Sequence, residues 1–98
     1  MSLTAESIIV QETGLSAAEI DGRTVILSLD AGSYFDFNRV ATEIWSMLRE
    51  PCRVAEILQK LSQCHDVAAE VLSRDVMTFL QSLISQRLVR VIVVEDTR

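Results

Sequence analysis

The sequence has few of the residues on which catalysis and nucleic-acid binding usually depend. Its 98 residues include one histidine, two cysteines, one proline, three glycines and five aromatic residues: three Phe, one Trp and one Tyr. Basic residues number 9 against 14 acidic ones, which gives a formal charge of −5, and the basic residues are scattered singly along the chain. Binding to a phosphate backbone requires a clustered positive surface. The composition therefore argues against nucleic acid as a partner.

Long hydrophobic runs are also missing from the sequence. The most apolar segment, LVRVIVVE at 88–95, is far shorter than the roughly 20 residues that a membrane helix requires. The start, MSLTAESIIVQE, lacks the basic region and apolar core of a signal peptide. We therefore expect a cytoplasmic protein with no membrane partner. In that compartment Cys52 and Cys64 are expected to stay reduced rather than form a disulfide.

The sequence offers no arrangement of polar residues that is typical of an active site. His65 directly follows Cys64, and neighbouring residues of a helix point about 100° apart, whereas a catalytic Cys-His pair must meet across space. No Gly-rich phosphate loop and no cluster with metal-ligand spacing occurs in the sequence. We therefore predict a protein that is not an enzyme and that needs no cofactor and no metal.

The chain is long enough for one hydrophobic core, so we predict a single domain over residues 1–98 with an α+β fold. Its first third alternates in strand-like fashion, and the turn signals Asp21-Gly22 and Asp30-Ala31-Gly32 predict hairpins. Together these features predict an antiparallel N-terminal sheet of three to four strands. The predicted strands cover 7–12, 17–21, 24–29 and 33–37.

Three helices are predicted to follow. Asn38 is suited to cap the first of them, which ends near Arg49 because Pro51 prevents its continuation. The second and third are predicted over about 54–64 and 68–87, and a last strand over 89–94. Val40, Ala41, Ile44, Trp45 and Leu48 recur at helical spacing and predict the buried stripe of the first helix. Phe35, Phe37 and Trp45 are expected to pack the sheet against that helix.

Two features indicate a binding surface. The apolar arc of the third helix is wider than one packing contact requires, so the shoulder that holds Phe79 beside Asp75 could line a groove. The alternative is that this helix is central and contacts every other element. The strand at 33–37 is expected to end the sheet and to leave an open edge that could accept another strand. The alternative is that the tail strand at 89–94 pairs there.

The order and spacing of these segments resemble one known family. VILSLDAGSYFDFNRVATEIWSML, then VAEILQKL, then AAEVLSRDVMTFLQSLISQRLV follow the pattern of the PqqD-like family, over about 20–89. Its members are peptide-recognition domains of ribosomally made, modified peptides. The resemblance implies a small winged-helix-like fold in which a three-stranded antiparallel sheet packs on three helices. It also implies that the leader segment of a precursor peptide binds as an added strand between the last strand and the third helix, and is held there for a separate modifying enzyme.

Carried over by position, the resemblance assigns the peptide-binding role to Ser33, Tyr34, Phe35 and Asp36 on the strand and to Leu72, Asp75, Val76 and Phe79 on the helix. The sequence departs from the family pattern at two helix ends. Arg87 stands where many members have a glycine, so that this terminus is expected to close differently. Ala68 replaces a polar cap.

The resemblance implies two kinds of partner enzyme. A separate chain of this kind resembles the small protein that delivers a lasso-peptide precursor to a leader-cleaving cysteine protease. It equally resembles the partner of a radical-SAM enzyme in quinone-cofactor biosynthesis. Two other functions are alternatives: a winged-helix transcriptional regulator, which the two arginines and two acids of the third helix disfavour, and a structural dimer formed through the tail strand.

Overall fold

The structure is a computed structural model that describes residues 3–28 and 32–92. Within these ranges six strands and three helices form an α+β fold, the fold class that the sequence predicts. The strands are β1 (Ile8–Gln11), β2 (Leu15–Ile20), β3 (Arg23–Ser28), β4 (Ser33–Phe37), β5 (Cys52–Arg53) and β6 (Val89–Ile92). The helices are α1 (Arg39–Met47), α2 (Val54–Cys64) and α3 (Ala69–Ser85).

The strands form two small antiparallel sheets, and the first predicted strand does not join the other three predicted N-terminal strands. One sheet has the order β2-β3-β4, and it is the predicted three-stranded sheet. The other has the order β5-β1-β6, so the first strand of the chain turns away from the meander and pairs with the tail. Ile8 pairs with Ile92 on one side and with Arg53 on the other. The two-residue strand β5 was not predicted, because so short a segment carries no alternation to detect.

The β2-β3-β4 sheet has one buried face and one exposed face. Thr24, Ile26 and Ser28 of β3 are buried, while Leu27 between them is 44% exposed. Residues opposite each other in an antiparallel pair share a face, and Ile26 is opposite Phe35 while Leu27 is opposite Tyr34. The core-facing side of β4 is therefore the side that carries its two phenylalanines.

A single hydrophobic core fills the space between the sheets and the helices. Its buried members are Ile9, Ile26, Phe37, Ile44, Trp45, Leu48, Val54, Ile57, Leu61, Leu72, Val76, Leu80, Leu83, Leu88 and Val89. The predicted stripe of the first helix contributes to it, with one correction. Val40 was predicted to be buried in α1 but is 41% exposed.

The N-termini of α1 and α3 differ in their capping. The predicted cap of α1 is confirmed, because Asn38 Oδ1 accepts a hydrogen bond from the Ala41 amide at 2.9 Å. At the start of α3 the capping position is Ala68, and no side chain caps the helix there. The departure noted in the sequence therefore leaves α3 with an uncapped first turn.

The end of α3 corrects a second expectation, that the absence of glycine makes this terminus close differently. Arg87 itself adopts the left-handed conformation, with φ of 62°. Its amide donates to the Ile84 carbonyl at 3.0 Å, and the Leu88 amide donates to the Leu83 carbonyl at 2.9 Å. This pair of bonds is the Schellman motif, which glycine normally completes. Helix α3 ends at Ser85, two residues before the predicted end.

Candidate functional site

Strand β4 forms one edge of its sheet. It pairs with β3 along its whole length, from Ser28 opposite Ser33 to Thr24 opposite Phe37. No second strand within residues 3–28 and 32–92 pairs with β4. The described part of the tail, β6, pairs with β1 instead, so the alternative in which the tail covers this edge is wrong for Val89–Ile92. Residues 93 and 94 of the predicted tail strand, like Asp30 and Ala31 of the predicted turn, lie outside the described residues.

The side chains of β4 alternate between the core and the exposed face. Phe37 is buried and Phe35 is partly buried, whereas Tyr34 is 71% exposed. On the same exposed face Asp36 Oδ1 receives a hydrogen bond from Arg23 Nη2 of β3 at 3.3 Å. The strand is therefore held by its inner aromatic residues, while its outer face is exposed and its outer edge is paired with no other strand of residues 3–28 and 32–92.

Aromatic contacts fix β4 to both α1 and α3. The ring of Phe37 meets Trp45 of α1 edge to face, with 5.8 Å between ring centroids. It meets Phe79 of α3 in the same way at 5.4 Å. Such edge-to-face pairs contribute about 0.5–1.5 kcal/mol each beyond the burial of their area. The predicted packing of the sheet on the first helix by its aromatic residues is thus confirmed, and the same cluster also includes α3.

A pocket of about 330 Å³ lies between the start of α1, the connection before α3 and residues 72–79 of α3, next to the end of β4. The four α3 residues that were assigned to the site all line it, with Leu72 and Val76 buried and Asp75 exposed. The strand residues Ser33, Tyr34, Phe35 and Asp36 are not part of its lining. The complete lining is Asn38, Val40, Ala41, Ile44, His65, Val67, Leu72, Asp75, Val76 and Phe79.

The pocket lies next to the C-terminal end of β4. Asn38, which directly follows the strand, belongs to the lining, and Phe79 lines the pocket while its ring contacts Phe37. We call the edge of β4 together with this pocket the edge groove. Its extended part offers backbone donors and acceptors, and its pocket offers an apolar cavity with a few polar groups around it. That combination suits an extended peptide with an apolar side chain beyond the paired segment.

The wall of the pocket includes a histidine that has a partner elsewhere. His65 Nε2 lies 3.0 Å from Glu43 Oε1 of α1, and the two side chains are 31% and 46% exposed. Cys64 is exposed and lines a different concavity. The two residues therefore have separate surroundings, in line with the sequence argument against a Cys-His pair.

The cysteines are far from forming a reactive site. Neither Cys52 nor Cys64 takes part in a disulfide. Burial raises the pKa of the Cys52 thiol, and the neighbouring carboxylate of Glu56 raises it further, so the nucleophilic thiolate is disfavoured. Within the described ranges no group of three or more His, Cys, Asp or Glu side chains is placed to hold a metal ion.

A larger concavity of about 600 Å³ lies on a different face of α1, between that helix, α2 and the β2-β3 turn. Its walls carry charges of both signs, with Glu19 and Glu43 against Arg39 and Lys60. It borders no open strand edge of β4 and contains none of the residues assigned to the site. Its volume alone does not make it the better candidate, because most of its lining side chains are polar or charged, whereas ligand sites are lined mainly by apolar side chains with few polar groups.

Comparison with known proteins identifies the family. The sequence profile of the family described as "Coenzyme PQQ synthesis protein D (PqqD)" matches residues 23–89. The chain belongs to this family. The match covers β3, β4, the three helices and the first residue of β6, so both walls of the edge groove lie within the family region. The resemblance noted in the sequence is thus confirmed.

A solved structure resembles this PqqD-family chain over nearly its whole length. It is "TbiB1 in Complex with the TbiA(beta) Leader Peptide", with a TM-score of 0.76 and 30% sequence identity. The alignment covers 89% of this chain and 99% of that one. A search of curated proteins finds no match. None of the helices in the described part of the chain is long and apolar enough to cross a membrane.

Six lining residues of the pocket were not assigned to the site from the sequence. Val40 was assigned to the core, and Val67 lies in the short connection before α3; both are exposed apolar residues, at 41% and 44%. Neither had a clear signal in the sequence, because Val40 fitted the predicted buried stripe of the first helix and a single valine such as Val67 is ordinary on a protein surface. Asn38, Ala41, Ile44 and His65 carried other roles in the sequence argument, and only the fold brings them to one pocket.

Proposed function

We propose that this PqqD-family chain is a recognition protein that binds the leader segment of a ribosomally synthesised precursor peptide and presents it to a separate modifying enzyme. The leader is added as a strand along β4, and one apolar side chain beyond the paired segment enters the pocket of the edge groove. The proposed peptide-binding residues are Ser33, Tyr34, Phe35, Asp36, Leu72, Asp75, Val76 and Phe79. The chain acts as one domain over residues 1–98, in the cytoplasm, without catalysis of its own.

The observation that carries the proposal is that an apolar pocket lies next to the end of an edge strand. Strand addition gains affinity from backbone hydrogen bonds, while pockets for individual side chains provide selectivity. The contacts of Phe37 with Trp45 and Phe79 hold β4 in place before any peptide arrives. A rigid edge lowers the entropic cost of ordering the complex. The similar solved structure, which contains a leader peptide, supports the proposal that this chain binds a leader peptide.

For the partner enzyme we propose the leader-cleaving cysteine protease of a lasso-peptide pathway, with a radical-SAM enzyme as the alternative. Family membership alone is compatible with both. In either case the chain binds the leader and the enzyme performs the reaction. The modified part of the precursor then needs no affinity of its own for the enzyme.

Calorimetry with the precursor peptide encoded next to the gene of this chain tests the proposal. The leader segment should bind with a Kd in the micromolar range or tighter, and the remaining core segment of the same precursor should not bind. Binding of the core segment alone would contradict leader recognition. Adding the chain to the neighbouring protease should accelerate leader cleavage, and no effect on the protease would favour a different partner enzyme.

A further inference from the structure

The edge groove carries an uneven distribution of charge. Asp36 lies on its strand side and Asp75 on its α3 side, and both carboxylates are exposed. The pocket has no Lys or Arg in its lining. The one described cation that contacts either acid is Arg23, on the far side of β4 from the free edge.

Asp36 is positioned to meet a second cation from an added strand. Arg23 lies on β3 and uses only Oδ1, at 3.3 Å, and the side chain of Asp36 is 53% exposed. No further hydrogen bond to this carboxylate is formed within residues 3–28 and 32–92. A strand added to β4 lies on the opposite side from β3, and a directly opposed residue on the same face comes within about 5.5 Å between Cβ atoms. Asp36 would then lie between Arg23 and that residue.

Asp75 is the second acid, and the described chain gives it no partner. It lines the pocket together with Leu72, Val76 and Phe79. No hydrogen bond or ion pair joins its carboxylate to any other described residue. An exposed carboxylate next to apolar walls suits a peptide side chain with a long aliphatic stem and a cationic end, because the stem can cover the walls while the charge reaches the acid.

We infer that the edge groove selects leader segments with a basic residue on the outer face of the added strand, beside Asp36, and a second basic side chain that reaches Asp75. This inference rests on the proposed function and specifies the chemistry of its peptide. Each exposed pair should change the affinity by about two- to five-fold, the range of exposed ion pairs and cross-strand charge pairs. Salt should weaken both contributions, because exposed charges are screened within about 10 Å at 0.1 M ionic strength.

A displayed library of random 15-residue peptides, selected on the immobilised chain, tests the inference whatever the sequence of the natural leader. The selected peptides should carry Lys or Arg in excess at two fixed positions. Selection on the Asp36→Asn/Asp75→Asn double variant should still yield peptides, but without this excess. In calorimetry a selected basic peptide should bind Asp75→Asn two- to five-fold more weakly, and replacing its matching Lys by Gln should then cost nothing further.

The matched control is Glu50→Gln, which removes one negative charge beyond the far end of α1 from the groove and should leave the selection unchanged. Two negative outcomes are distinct. Peptides that require the open edge of β4 but show no basic excess would overturn this inference and leave the proposed function intact. A library with no peptide that depends on the β4 edge would overturn both. Lys→Gln changes in the peptide need no change to the protein, so a folding defect cannot obscure the result.

Discussion

Phe37 and Phe79 meet edge to face with 5.4 Å between their ring centroids, and this contact joins the two walls of the edge groove. Phe37 is the last residue of β4, while Phe79 lies in the second half of α3 and also lines the pocket. One side of the Phe79 side chain therefore belongs to the core contact and the other to the cavity. Phe79 therefore belongs both to the core and to the proposed peptide site.

Replacing Phe79 by Ala should weaken leader binding by more than about 1 kcal/mol while the fold stays intact, because Phe79 is an aromatic anchor at a partly exposed wall. Calorimetry with the leader peptide measures the affinity, and circular dichroism checks the fold. Met77→Ala is the matched control, since Met77 is partly buried on the opposite shoulder of α3 and is absent from the pocket lining. It should lower thermal stability without changing affinity. Equal affinities for wild type and Phe79→Ala would show that the peptide does not bind on the Phe79 side of α3.

The positions of the helices could be predicted from the sequence, because each one shows a clear helical period and the first also has a local start signal. Asn38 before a periodic segment is such a signal, and its side chain does cap α1. The wide apolar arc of α3 indicated a second contact surface, and its Phe79 shoulder does line the pocket while Met77 and Ile84 pack against the core. The fold class and the α3 wall of the candidate site could therefore be predicted from the local sequence pattern.

The pairing of β1 was not accessible in the same way. The segment around Ile9 has a strand pattern, but its partners, Cys52 and Val91, are distant in sequence, and no local signal distinguishes them from the neighbouring hairpin. The rest of the pocket lining, outside α3, was missed for the same reason. Val40 and Val67 come together with α3 only through the tertiary fold, and each alone is an ordinary surface valine.

The two helix starts provide opposite tests of capping. Asn38→Ala should lower the free energy of unfolding by about 1 kcal/mol, because it removes the acceptor for the Ala41 amide. Ala68→Ser should raise it by a similar amount, because α3 has no side-chain cap. Urea denaturation measures both values. An unchanged midpoint for Ala68→Ser would mean that water already satisfies the first turn of α3.

Arg87→Gly should stabilise the chain by about 0.5–1 kcal/mol. Arg87 has φ of 62°, a conformation that costs a residue with a Cβ about 1–2 kcal/mol, and glycine avoids this cost at the expense of a more flexible unfolded chain. The same denaturation experiment measures the change. Gln86→Gly is the control, since Gln86 has φ of −86° at the same helix end and should lose stability on replacement. A loss of stability for Arg87→Gly would show that its side chain makes contacts that outweigh the strain.

Proline substitutions in β4 test its role as an open edge. In a strand only every second residue directs its N–H and C=O toward a given neighbour, so an added peptide must bond to alternate residues of Ser33–Phe37. Of Tyr34→Pro and Phe35→Pro, the variant whose amide points outward should abolish leader binding with the smaller loss of stability. The other variant should damage folding, because its amide serves β3.

The exchange rates of the β4 backbone amides test the same edge without mutation. On addition of the leader, exchange should slow at alternate amides between Ser33 and Phe37, and the protected amides should be those whose proline variant loses binding. The amides that already bond to β3 should show little change, which makes them an internal control within one strand. Protection confined to β6 would instead place the peptide on the β5-β1-β6 sheet, whose outer strand is also free on one side within the described residues. Because the two sheets are separate, the exchange pattern assigns the peptide to one of them.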